Sequence, residues 1–119
     1  MKQTLVIGAS NNPDRYAYKA VVSLLNHGHS VIAFGQKKGS IGDTIIHNDW
    51  DTKWHVDTVT LYINPKIQED YYQMILGLKP KRVIFNPGTE NPTFYNILRE
   101  NDIKVEVACT LVMLSIGDY

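Results

Sequence analysis

The chain has 119 residues, 44% hydrophobic and 20% charged, a balance that yields one globular domain with a single real core and argues against disorder. Twelve basic and twelve acidic residues cancel, so no overall field draws the protein to nucleic acid or to an anionic membrane. The one cysteine, Cys109, excludes an internal disulfide, and no apolar run approaches the length of a membrane span. Met1-Lys2-Gln3 runs straight into an apolar segment with no signal peptide, so the expected location is the cytoplasm.

Thr4 to Ile7 reads as a buried strand that ends at Gly8. Ala17, Ala20, Val21, Leu24 and Leu25 then fall at i, i+3, i+4, i+7 and i+8, the apolar face of a helix, and Gly28 stands at its C-terminal stop. Val31 to Phe34 is a second strand. The stretch from Gly35 to Asp57 is irregular, with Thr44-Ile45-Ile46 a candidate short edge strand. Thr58 to Ile63 is the third strand, and Ile67, Tyr71, Met74, Ile75 and Leu78 trace the next helix face. Val83-Ile84-Phe85, a helix marked by Phe94, Ile97 and Leu98, and a strand from Ile103 to Val107 complete the pattern.

Strand and helix in alternation predict an α/β fold: a Rossmann-like, doubly wound, mostly parallel five-stranded sheet with helices on both faces, in one domain over residues 1–119. The first two strands are expected side by side. The third is expected on the other side of the first, because the irregular segment gives room for that crossover.

The loops carry the functional signal. Of five prolines, four follow asparagine: Asn12-Pro13, Asn64-Pro65, Asn86-Pro87 and Asn91-Pro92. Asn suits an N-cap and Pro the first helical turn, so such pairs read first as helix starts. Three of them lie directly after strands, at the carboxyl edge where open α/β sheets bind ligands. The first loop reads Gly8-Ala9-Ser10-Asn11-Asn12-Pro13 rather than G-x-G-x-x-G. Ala9 and Ser10 are still small enough for close approach, Ser10 and Asn11 bring side-chain donors, and Arg15 and Lys19 are four apart. A dinucleotide site for NAD places an acid after the second strand. This chain has Gln36-Lys37-Lys38 there, which suits a ligand with an extra ribose phosphate: NADP or coenzyme A.

With these residues the chain resembles the small CoA-binding proteins related to the N-terminal domain of the succinyl-CoA synthetase α subunit. The resemblance runs from about Thr4 to Cys109. It is carried by Val6 to Pro13 with Arg15, by Gly28 to Ile32, by Val56 to Val59, and by Val83 to Asn91. It implies a Rossmann-type domain binding CoA or an acyl-CoA at the carboxyl edge. Gly8, Ala9, Ser10, Asn11 and Arg15 would then sit by the phosphates, with Lys19 beyond them. Gln36, Lys37 and Lys38 would lie near the phosphoadenosine. Ile63, Asn64 and Pro65 would flank the adenine or pantetheine, and Asn86, Pro87, Gly88 and Thr89 would line the pantetheine path. One departure is Phe34-Gly35-Gln36, where relatives read Val-Asn-Pro.

Little points to catalysis. The phosphohistidine chemistry of the synthetase belongs to a later domain and a second subunit. His27 and His29 read as surface caps at a helix end, and His47 and His55 have no metal-ligand spacing. Glu90 is the best general-base candidate, although an acid beside Asn91-Pro92 also suits a helix start. Cys109 reads as a buried thiol before a reactive one. Glu69 and Asp70 are neighbours on a helix and cannot face each other. Trp50 and Trp54 read as a cover over the irregular segment, and Tyr71 and Tyr72 as one core and one surface residue.

The expected function is therefore CoA or acyl-CoA binding without catalysis, in a regulatory or carrier role, with a nucleotide ligand, no nucleic acid, no membrane and room for a homodimer. Two alternatives stay open: an NADP-binding oxidoreductase-like domain, and a protein-interaction module using the aromatic segment Trp50 to Trp54.

Overall fold

The computed structural model describes residues 2–119. Its strands are β1 (Thr4–Ile7), β2 (Val31–Phe34), β3 (Ser40–Ile41), β4 (Thr44–His47), β5 (Thr58–Leu61), β6 (Arg82–Phe85) and β7 (Lys104–Val107). The helices are α1 (Tyr16–Asn26), α2 (Pro65–Gln68), α3 (Tyr72–Leu78), α4 (Pro92–Glu100) and α5 (Thr110–Ser115), with a 3-10 turn at Glu69–Tyr71 joining α2 to α3. They build one seven-stranded sheet in the order β3-β4-β2-β1-β5-β6-β7. The two extra strands correct the expected count of five. Where a helical crossover would follow β2, the chain makes a hairpin instead: β3 runs antiparallel to β4, and β4 returns parallel to β2. β1 lies between β2 and β5, as the crossover argument requires.

Side chains on a strand alternate between faces, and here each face has its own apolar cluster. Leu5 and Ile7 of β1 join Val59, Leu61, Val83 and Phe85 under α3 and α4, which contribute Ile75, Phe94 and Leu98. Val6, between them, faces α1 and α5 with Ala17, Val21, Leu24, Ala33 and Leu114. Leu25, read as part of the buried face of α1, is instead 41% exposed in its last turn. Tyr71 and Tyr72 are both half-buried rather than one core and one surface residue.

Two of the four Asn-Pro pairs start helices. Asn64 Oδ1 accepts from Ile67 N–H at 2.9 Å, and Asn91 Oδ1 from Phe94 N–H at 3.1 Å, each with Pro in the first turn. A cap of this kind stabilises by about 1 kcal/mol. Asn12-Pro13 does not start a helix: Asn12 Oδ1 accepts from Asp14 N–H, and α1 begins at Tyr16 with Arg15 at the N-cap. Asn86-Pro87 forms a turn, closed by Thr89 N–H to Asn86 O.

The amino edge of the sheet is a sealed polar layer. Arg82, 7% exposed, donates to Thr58 Oγ1 at 2.8 Å and to Tyr119 O at 2.9 Å, pairs with Glu106 at 3.3 Å, and lies over the Tyr119 ring. Burial alone would raise the Glu106 carboxyl, but the Lys104 hydrogen bond and the nearby Arg82 and Lys104 charges hold it below its ordinary value. His29 is part of this layer rather than a surface cap. Its Nδ1 accepts from Lys2 N–H at 2.9 Å, and its ring packs on Tyr119.

Burial, and then the positive charges around it (Lys2, His27 and Arg82 among them), lower the His29 pKa below 6.5. The unfolded chain therefore binds the proton more readily, and stability rises with pH between the two values. The stabilisation is present above pH 6.5 and is lost as pH falls below it. Urea midpoints measured from pH 7.5 to 5.5 should fall for the native protein and change less for His29→Gln. Equal slopes for both would remove His29 from this role.

Candidate functional site

The strand order reverses between β1 and β5, so the ends of these strands form the switch point of the sheet. Gly8 follows β1 there with φ +95°, and a Cβ on it would stand 2.9 Å from Tyr62 O, so glycine fits both the turn and the approach. Gly8 N–H and Ala9 N–H both donate to Phe34 O at 2.9 Å. These amides are engaged by the end of β2, so Gly8 and Ala9 shape the loop. A Cβ on Gly35 would come within 2.2 Å of Ala9 O, so the first loop rests directly on the backbone that follows β2.

The next residues of both loops also meet. The Asn11 side chain packs against Gly39, whose O accepts from Ile46 N–H of β4. Ser10 Oγ accepts from Asn12 N–H at 3.1 Å, and Arg15 is exposed at the head of α1. Gln36, Lys37 and Lys38 are exposed on the facing loop. Ser10, Asn11 and Arg15 are thus brought to the same edge as Gln36, Lys37 and Lys38. Lys19 is not placed with them in the same way: one turn farther along α1, its ammonium sits over the Tyr16 ring and beside a shallow groove on the helix flank.

Beyond the switch point, Ile63, Asn64 and Pro65 link β5 to α2 on this edge, with Ile63 packed on the core and Asn64 engaged as a cap. Asn86, read as part of a ligand path, is buried, and its amide is fully used. Nδ2 donates to Thr60 Oγ1 at 2.6 Å and to Leu61 O at 2.9 Å, and Oδ1 accepts from Thr110 N–H at 2.9 Å. Thr89 is buried too, and its hydroxyl donates to Asn86 O. Pro87 and Gly88 are the exposed part of that segment. Gln68, fully buried, donates to Ile63 O and Thr89 O and accepts from Asn91, tying the loops after β5 and β6 together. Glu90 accepts from Gly88 N–H at 2.8 Å and holds this turn.

Sequence reasoning missed Gly35, Thr60, Gln68 and Thr110 as organisers of this edge. Only Gly35 left a signal, as a departure from the related pattern. Cys109 is half-buried at the N-cap of α5. Tyr62 points its hydroxyl into the same region, and burial pushes its pKa well up, with the nearby Cys109 adding to the shift. The Thr60 and Thr110 hydroxyls bond each other at 2.8 Å, and Tyr62 Oη has no hydrogen-bond partner among the described residues. No group of three or more acidic, His or Cys side chains among the described residues is placed to hold a metal ion. No described helix is long and apolar enough to cross a membrane.

The whole chain superposes on a crystal structure of an uncharacterized protein that is 53% identical, with a TM-score of 0.97 and 98% of that chain covered. A Thermus thermophilus protein, 24% identical, matches 99% of this chain and 90% of its own with a TM-score of 0.87. A hypothetical protein from Pyrococcus horikoshii OT3, also 24% identical, gives a TM-score of 0.87 over 97% of this chain and 82% of its own. The last two likenesses concern the fold alone. No curated protein matches the chain. A family model for the CoA binding domain matches residues 2–115, which span both loops at the switch point and every strand that frames them. The chain belongs to the CoA binding domain family.

Proposed function

We propose that this protein binds coenzyme A or an acyl-CoA across the carboxyl edge of its sheet and has no catalytic step of its own. The observation that carries this reading is the meeting of the two loops at the ends of β1 and β2, where Ala9 and Asn11 rest on Gly35 and Gly39, the residues that flank Gln36, Lys37 and Lys38, with Arg15 exposed at the head of α1. The Gly8 and Ala9 amides are taken by Phe34 O, so the anionic end of the ligand is met by the residues from Ser10 onward. Asn64-Pro65 and Pro87-Gly88 border the path toward the thiol end. Asn86 and Thr89 support that path from beneath. Glu90, tied to the turn it closes, is poorly placed to move a proton, which supports a carrier or regulatory role.

NADP remains a second reading, because Lys37 and Lys38 would suit its 2′-phosphate as well. Calorimetry with CoA, dephospho-CoA and NADP separates them. CoA should bind saturably and resist competition by NADP. The variant Lys37→Ala/Lys38→Ala should weaken CoA about tenfold, since two exposed ion pairs contribute about 1–2 kcal/mol together, while dephospho-CoA binding stays nearly constant. Absence of CoA and acyl-CoA binding at millimolar concentration would overturn the proposal.

A further inference from the structure

Between β4 and β5 no helix covers the sheet, and the chain crosses this face through residues 48–57. Trp50 and Trp54 pack there against the larger apolar cluster, and both remain half-buried. The Trp50 ring is braced on three sides. Phe34, the last residue of β2, meets it edge-on at 5.2 Å, Trp54 lies at 5.4 Å, and Tyr71 at 6.0 Å. Asn48 Nδ2 donates to Gly35 O at 2.8 Å, which fastens the start of this segment beside Gln36 and Lys37. Ile63, which opens the loop after β5, packs on the same cluster. Trp50 therefore stands where the segments after β2, β4 and β5 converge at the carboxyl edge.

Covering the sheet explains apolar side chains here. It does not call for a large flat ring, held by three other rings and left partly open on the segment that Asn48 fastens to the start of the lysine-bearing loop. Rigid, partly exposed aromatic faces bind nucleobases by stacking, which needs no hydrogen-bond readout because every base has a π-face. We propose that Trp50 is the platform on which the adenine of the bound ligand stacks, with Phe34, Trp54 and Tyr71 fixing its orientation. This rests on the CoA reading and adds to it a base-binding residue that belongs to this chain's own aromatic segment.

The chain has only two tryptophans, so Trp54→Phe leaves Trp50 as the sole indole emitter. In that variant, CoA and adenosine 3′,5′-bisphosphate should each quench emission saturably, and pantetheine should not. Trp50→Leu should weaken both nucleotides roughly five- to 150-fold, the range that loss of one base–aromatic stack gives. If CoA binds yet neither nucleotide changes Trp50 emission, the platform is refuted and the CoA reading stands. If CoA does not bind the native protein at all, both fall. Should Trp50→Leu fail to fold, quenching in Trp54→Phe decides alone.

Discussion

Asn86→Asp is expected to cost about 3 kcal/mol of stability, the largest loss of any single isosteric change at this edge. The side chain is 2% exposed and makes three hydrogen bonds, to Thr60, Leu61 and Thr110. An aspartate keeps the acceptor for Thr110 N–H but loses both donors. It also places a buried carboxylate oxygen against Leu61 O. Thr60 Oγ1 keeps its bond to Thr110 Oγ1, but the Leu61 carbonyl is left facing a charge, and a buried polar group without its partner costs about 1–3 kcal/mol, more where a charge is involved. For a domain of this size the urea midpoint should fall by about 1.5 M or more, with little change in slope. A shift below about 0.3 M would mean that the three bonds do not act as a clamp.

Gly35→Ala is expected to separate binding from folding. Its Cβ would sit 2.2 Å from Ala9 O, and the obstacle is backbone rather than a flexible side chain. The first loop must retreat, which strains or breaks the bonds from Gly8 and Ala9 to Phe34 O. Overpacking of this kind costs about 1–3 kcal/mol, which a domain of ordinary stability survives. CoA affinity should fall at least tenfold, because Ser10, Asn11 and Arg15 move away from the facing lysines. Gly77→Ala is the control: it lies in α3, and nothing stands within 4 Å of the added methyl. Calorimetry and urea titration on both variants check this. Unchanged CoA affinity in Gly35→Ala would refute the dependence of the site on loop contact.

The elements most legible in the sequence were those with long period. The strands β1, β2, β5, β6 and β7 were visible as apolar runs, and the buried stripe of α1 as a spacing. β3 was not, because two residues carry no period, and Ser40 and Ile41 pair only through the hairpin. The helix α5 was missed for a related reason. It has six residues, and Val112 and Ile116 are as apolar as the buried Met113 and Leu114, so no polar face marks it. The expected third strand ran on to Ile63, whereas β5 ends at Leu61, and Tyr62 N–H still reaches Ile7 O as the chain turns toward the Asn64 cap.

The candidate site was legible as an edge more than as a set of contacts. Asparagine after a strand looks like a ligand donor, and Asn86 has a ligand donor's position. Its amide is claimed by Thr110, 24 residues away, which no local pattern reveals. The Asn-Pro pairs divide on the same ground. Pro65 and Pro92 open their helices, but two residues, Asp14 and Arg15, separate Pro13 from the first turn of α1, and Asn12 caps only its own turn.

The sharing of Phe34 O by two successive amides has a consequence for how this domain can change. A loop that holds anions with its backbone cannot alter its preference without altering its path. Here the path is fixed by Gly8, Ala9 and Gly35, with Ser10 Oγ accepting from Asn12 N–H and the Asn11 side chain on Gly39 adding to it, whereas the exposed Arg15 at the head of α1 can be exchanged while the loop keeps its course. Charge and architecture are therefore separable at Arg15. That makes Arg15 the natural place to change the charge of this edge, by drift or by design.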